Sequence, residues 1–60
     1  MDASPLDEPA RILIVDDEKV VRDMLQTFLS LEGFSVRAVD DGSTAIEELQ
    51  RRTYHVVLSD

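Results

Sequence analysis

Cysteine does not occur among the 60 residues. That excludes a disulfide framework and any thiolate metal site, two devices that small chains often use for stability. Tryptophan is also absent, and the aromatics are one tyrosine and two phenylalanines. No apolar run approaches the ~20 residues of a membrane span. The first ten residues hold no basic stretch followed by an apolar one, so no secretory signal is expected and a cytoplasmic, reducing setting is. Cations are the minority, 6 Lys and Arg against 13 Asp and Glu, for a formal net charge of -7. Such a balance argues against nonspecific nucleic-acid binding, which needs basic surface to displace counterions. It suits a signalling domain or divalent-cation binding. A chain this short holds one small domain at most, burying only about 60% of the surface exposed on unfolding.

What is present is ordered by period. Residues 1–10, "MDASPLDEPA", combine two prolines and three acids with one large aliphatic residue, and read as a flexible leader. Arg11–Val15 is a continuous apolar run typical of a strand covered on both faces. From Glu18 the apolar residues Val20, Val21, Met24, Leu25, Phe28, Leu29 and Leu31 recur at spacings of three and four, an amphipathic helix whose stripe is expected in the core. Gly33 comes next, where a left-handed cap is expected. "FSVRAVD" alternates as a second strand near a sheet edge. "DDGST" supplies a turn and a helix cap: Thr44 with Glu47 fits a capping box, and Asp41 or Ser43 is the alternative. A second helix ends in Gln50, Arg51 and Arg52, and Tyr54–Ser59 is a third strand. Tyr54, Phe28 and Phe34 are expected in the core or at its margin.

Strands alternating with helices imply right-handed crossovers and a parallel sheet. Ligands of such sheets sit beyond the carboxyl ends of the strands. "ILIVDDE" runs a strand directly into acids, and "YHVVLSD" does so again, so Asp16, Asp17 and Asp60 are expected on one rim. Crowded carboxylates repel and need a compensator. Mg2+ suits the task as a hard cation that binds one or two carboxylates together with water and phosphate oxygens. A neighbouring carboxylate can act as nucleophile toward phosphorus, giving an acyl phosphate. The plainer alternative is that Asp16 or Asp17 caps the first helix, worth ~1 kcal/mol, and that Asp60 is a solvated chain end.

"RILIVDDE" at 11–18, "DG" at 41–42 before a helix, and "YHVVLSD" at 54–60 together resemble the N-terminal half of a response-regulator receiver domain, the phosphoacceptor module of bacterial two-component signalling. The resemblance runs from about Arg11 to Asp60. It implies the first β-α-β-α-β portion of a doubly wound, flavodoxin-like α/β fold, complete as five parallel strands in order 2-1-3-4-5 with five helices. By the same resemblance Asp60 matches the phosphorylated aspartate, Asp17 the direct Mg2+ ligand, and Asp16 its neighbour acting through water, with Asp60 also facing the metal. Glu18 is not expected to ligate. The phosphoryl donor is expected to be a phosphohistidine on a sensor kinase or phosphotransfer protein.

A complete receiver continues past the phosphoacceptor to a loop carbonyl that completes the Mg2+ shell, then a Thr or Ser, a Lys and a switch aromatic. Residues 11–60 are therefore expected to be the N-terminal half of the domain, truncated at Asp60. Its third strand would leave Val56, Val57 and Leu58 at an open edge that invites self-association. Lys19 is expected to pair with Asp23 on the helix surface. His55 and Ser59 are expected to be structural, Ser59 a spacer. Two competing functions are a receiver-like interaction module that docks on a partner without being phosphorylated, and a Mg2+-dependent hydrolase of another α/β family. The hydrolase lacks the further acids or base it would use.

Overall fold

The computed structural model describes residues 8–59. Its elements run β1 (Arg11–Val15), α1 (Lys19–Leu31), β2 (Ser35–Val39), α2 (Gly42–Arg51) and β3 (Val56–Ser59). The strands form one parallel sheet in the order β2-β1-β3. This β-α-β-α-β arrangement is the expected α/β class, with β1 in the middle and β2 at an edge. The expected leader falls mostly on residues outside the described ones. Its last residue, Ala10, already belongs to the sheet, because its carbonyl accepts the Ser35 N–H at 2.9 Å.

Central position explains why β1 is the most apolar strand. Ile12, Leu13 and Ile14 are all buried, and Leu13 is 0% exposed. Successive side chains of a strand point to opposite faces. Leu13 clusters with Val39 and Ala45, with Val15 and Tyr54 packed alongside, so this face lies beneath α2. Ile12 and Ile14 fill the other face, where α1 packs on β1 and β2.

The helices begin and end for local reasons. At the close of α1, Gly33 adopts φ 99°, a left-handed conformation that costs glycine little. The Phe34 N–H then reaches the Leu29 carbonyl and the Gly33 N–H the Ser30 carbonyl, the paired bonds of a Schellman stop. At the start of α2, Asp41 is the cap, and its carboxylate accepts the Thr44 N–H at 2.8 Å. The Thr44–Glu47 capping box is therefore not what starts this helix. That bond holds the Asp41 carboxyl below its ordinary pKa.

Two expectations about packing need correction. No residue of α1 is fully buried. Val21, Leu25 and Leu29 are half-buried toward the sheet, while Val20, Met24, Phe28 and Leu31 lie on an exposed flank, Phe28 at 58% and Leu31 at 81%. Phe34 is exposed as well, although Tyr54 does sit at the core margin. The stripe is wider than the contact with β1 and β2, so only its inner half packs. Val56, Val57 and Leu58 of β3 are likewise exposed, since among the described residues no strand flanks β3 on its outer side.

α2 carries the only buried charge among the described residues. Glu48 is 4% exposed. Its carboxylate accepts the Tyr54 hydroxyl at 2.6 Å and lies 3.3 Å from Arg52 Nε and 3.7 Å from Arg37 Nε. A buried carboxylate is tolerated when it is paired and hydrogen-bonded. The Tyr54 bond leads in holding the Glu48 carboxyl below its ordinary pKa, opposed by burial and helped by the arginines. Burial, then the same hydrogen bond, pushes the Tyr54 phenol upward. This group ties α2 to β2 and to the entry of β3. No helix among the described residues is long and apolar enough to cross a membrane.

Candidate functional site at the carboxyl ends of the strands

In the sheet register Val15 lies opposite both Val39 and Ser59, so the three strands finish level with one another. The residues just beyond them are therefore delivered to one rim. Val15, Asp16, Asp17, Asp40, Gly42 and Ser59 line an open cleft there. Asp16 and Asp17 both line it. Asp60, the expected phosphoacceptor, lies outside the described residues, and Ser59 before it forms part of the cleft wall. Asp40 was not anticipated as a lining residue. Its signal was available, since it directly succeeds β2 as Asp16 succeeds β1.

The acidic loop after β1 is tightly specified. The Asp16 N–H extends the ladder to the Val39 carbonyl at 3.1 Å. Asp16 Oδ1 accepts the Glu18 N–H at 2.9 Å, a local turn of the kind aspartate favours. The Asp16 carbonyl accepts from Arg22 Nη1 at 2.8 Å. The cap position of α1 is Glu18, which makes no side-chain cap bond. Neither Asp16 nor Asp17 is thus the N-cap; Asp16 instead closes the turn that leads into the helix. Asp17 is exposed, and its carboxylate accepts no hydrogen bond among the described residues.

The donor set fits Mg2+ in kind. The rim offers carboxylate oxygens, with no imidazole or thiolate beside them, as a hard cation prefers. Among the described residues no three acidic, histidine or cysteine side chains are grouped closely enough to hold a metal by themselves. Asp16 and Asp17 would thus supply part of a shell.

Other singled-out residues lie away from the rim. Lys19 pairs with Asp23 at 2.7 Å on the surface of α1, as expected. His55 sits at the opposite end of the sheet, where its Nδ1 accepts the Arg11 N–H and its own N–H donates to the Arg11 carbonyl, both at 2.9 Å. It closes the start of the β1–β3 ladder.

With this fold and rim in place, the class is defined: the description "Response regulator receiver domain" matches residues 12–60, and the chain belongs to that family. Its relatives include response regulators and transcriptional regulatory proteins. The regulatory protein VanRc of Enterococcus gallinarum is 40% identical over 50 residues, covering 83% of this chain and 22% of the relative. The probable transcriptional regulatory protein TcrX of Mycobacterium tuberculosis is 38% identical over 53 residues, 88% of this chain and 23% of the relative. The alkaline phosphatase synthesis transcriptional regulatory protein SphR of Synechococcus elongatus is 51% identical over 43 residues, 70% and 17% of the two chains. The chain thus spans under a quarter of the length of these relatives. No solved structure matches it.

Proposed function

We propose that residues 11–60 form the N-terminal half of a receiver domain that accepts a phosphoryl group on Asp60, with Asp16, Asp17 and Asp60 facing Mg2+. The observation that carries this reading is the cleft in which Asp16 and Asp17 face Ser59, the residue before Asp60, in a chain of the receiver family. A carboxylate oxygen of Asp60 attacks the phosphorus of a phosphohistidine. The new O–P bond forms as the N–P bond breaks, and the electron pair returns to the imidazole nitrogen. The chemistry supplied by Mg2+ when bound is neutralisation of charge on the acids and on the transferred group. Asp17 offers the free carboxylate, Asp16 holds the turn that presents it, and Ser59 leaves the cleft open. The partner is a sensor histidine kinase or phosphotransfer protein, the setting cytoplasmic, and the module a signalling acceptor rather than an enzyme with an external substrate.

Labelling with acetyl phosphate, read by intact mass with and without Mg2+, tests this. One added phosphoryl group that requires Mg2+ and disappears in Asp60→Asn is the expected result. Labelling that persists in D60N would sink the assignment.

A second reading, a docking module that is never phosphorylated, is favoured by the exposed apolar residues of β3 and α1. One form of it is self-association through the outer edge of β3. Sedimentation as a monomer at every concentration counts against that form. Full signalling by D60N would favour docking over phosphorylation.

A further inference from the structure

The acidic loop is held by a cation that the phosphoacceptor chemistry does not use. Arg22 lies in the first turn of α1, half-buried, and its backbone N–H bonds the Glu18 carbonyl at 3.0 Å. Its side chain turns back past that turn to donate to the Asp16 carbonyl at 2.8 Å. Among the described residues it forms no ion pair, unlike Lys19, Arg37 and Arg52.

We propose that Arg22 is a positioning residue for the metal-binding acids: by fixing the Asp16–Asp17 peptide, its guanidinium presents the Asp17 carboxylate to a divalent cation. The inference rests on the Mg2+ reading of the rim. Asp17 makes no side-chain bond of its own among the described residues, so its placement depends on its two peptide groups. The peptide before it is held through the Asp16 carbonyl by Arg22, and the peptide after it through the Glu18 N–H by Asp16 Oδ1. The Asp16 N–H, bonded to Val39, anchors the whole turn to the sheet. Removing Arg22 releases one of the two clamps on Asp17 and leaves a half-buried carbonyl without its partner. A guanidinium suits the task because it is always charged and its donors are fixed in a plane.

Two effects of opposite sign separate positioning from simple electrostatics. A positive charge beside the acids repels a second cation, so deleting it should tighten Mg2+ binding if charge alone mattered. If Arg22 positions Asp17, deleting it should weaken binding, because groups that orient a metal ligand typically contribute about 10–100-fold in affinity.

The test is Mg2+ affinity by calorimetry on the full-length protein, wild type against Arg22→Met, at a temperature where circular dichroism shows both folded. Methionine keeps an unbranched stem and loses charge and donors. The expected result is about tenfold weaker binding, with a shift of the Asp17 amide 15N resonance, whose peptide carbonyl has lost its donor. Equal or tighter binding by R22M overturns the proposal. Should R22M fail to fold, the wild type decides: Mg2+ should move the Arg22 guanidinium NMR signals, and signals that stay fixed at saturation overturn it. A wild type that takes up no Mg2+ overturns the metal reading itself and this proposal with it. Tight wild-type binding with R22M unchanged removes only the role of Arg22.

Discussion

Replacing Leu13 with alanine tests whether the site rests on the centre of the sheet. Leu13 is fully buried in β1, among Val39, Ala45, Val15 and Tyr54, three residues before the acid pair. A buried leucine cut to alanine loses its transfer free energy and leaves a cavity, at a cost of about 2–5 kcal/mol. A domain of this size has roughly 3–9 kcal/mol in total, at ~0.05–0.15 kcal/mol per residue. The substitution therefore removes at least about a fifth of the stability, and at the upper end of the cost all of it. At about 4–8 °C per kcal/mol the melting temperature falls by roughly 8–40 °C. Phe28→Ala is the control. Phe28 is the larger residue and belongs to the helical stripe expected in the core, but it is 58% exposed, and its loss should cost about 1 kcal/mol or less. Urea and thermal unfolding followed by far-ultraviolet circular dichroism measure both. If L13A is no more damaging than F28A, then β1 is not the centre of the core, and burial at Leu13 does not support the rim.

The buried carboxylate contributes to the acid limit of stability. Because the folded state holds the Glu48 pKa below its ordinary 4.5, its contribution is complete above about that pH and is lost as pH falls through the lowered value. Stability curves of wild type and Glu48→Gln should converge there, and parallel curves would refute it. Tyr54 acts in the opposite direction. With its pKa raised above 10.0, its contribution is present below that pH and lost as pH rises through the higher value, so Tyr54→Phe should flatten the alkaline limb. Asp41→Ala removes the cap of α2 and should lower the melting temperature, whereas Thr44→Val, which keeps the backbone N–H that Asp41 accepts from, should lower it less.

The order of strands and helices could be read from the sequence because each element carries its own period. Arg11–Val15 is a continuous run, α1 repeats at three and four, and Gly33 stops it where a left-handed residue is needed. That Asp16 and Asp17 lie beyond the carboxyl end of β1 was legible for a related reason, since a parallel sheet sends the residue after each strand to the same end; Asp60, expected beside them, lies outside the described residues. Periodicity marks a stripe and its direction, but it does not say how much of that stripe a neighbour covers. Val21 and Val20 look alike in the sequence, yet only Val21 packs toward the sheet. Glu48 reads as an ordinary surface charge of an amphipathic helix. Its burial comes from Tyr54 and Arg37, which reach it only once α2 lies on the sheet. Arg22 reads only as part of the polar side of α1, because a bond from a side chain to a backbone carbonyl six residues earlier leaves no mark on composition or spacing.

The ion pairs among the described residues lie on α1 and around Glu48, while Asp16, Asp17 and Asp40 on the rim have none. Like charges on one rim oppose folding, with the single Arg22 guanidinium at the Asp16 carbonyl as the cation beside them, so on the metal reading the rim lowers the stability of the metal-free protein. A ligand that binds only the folded state reverses this, by about 2.7 kcal/mol at 100 times its dissociation constant. For a domain of this size that raises the melting temperature by roughly 10–20 °C. Asp17→Asn should then change sign with conditions. In a chelator the variant should melt at or above the wild type, because one repelling charge is gone. In saturating Mg2+ it should melt below the wild type, because it no longer gains the binding energy. A purely structural role for Asp17 predicts loss in both conditions. A variant that is less stable than wild type by the same amount with and without Mg2+ would show that Asp17 serves the fold and not a cation.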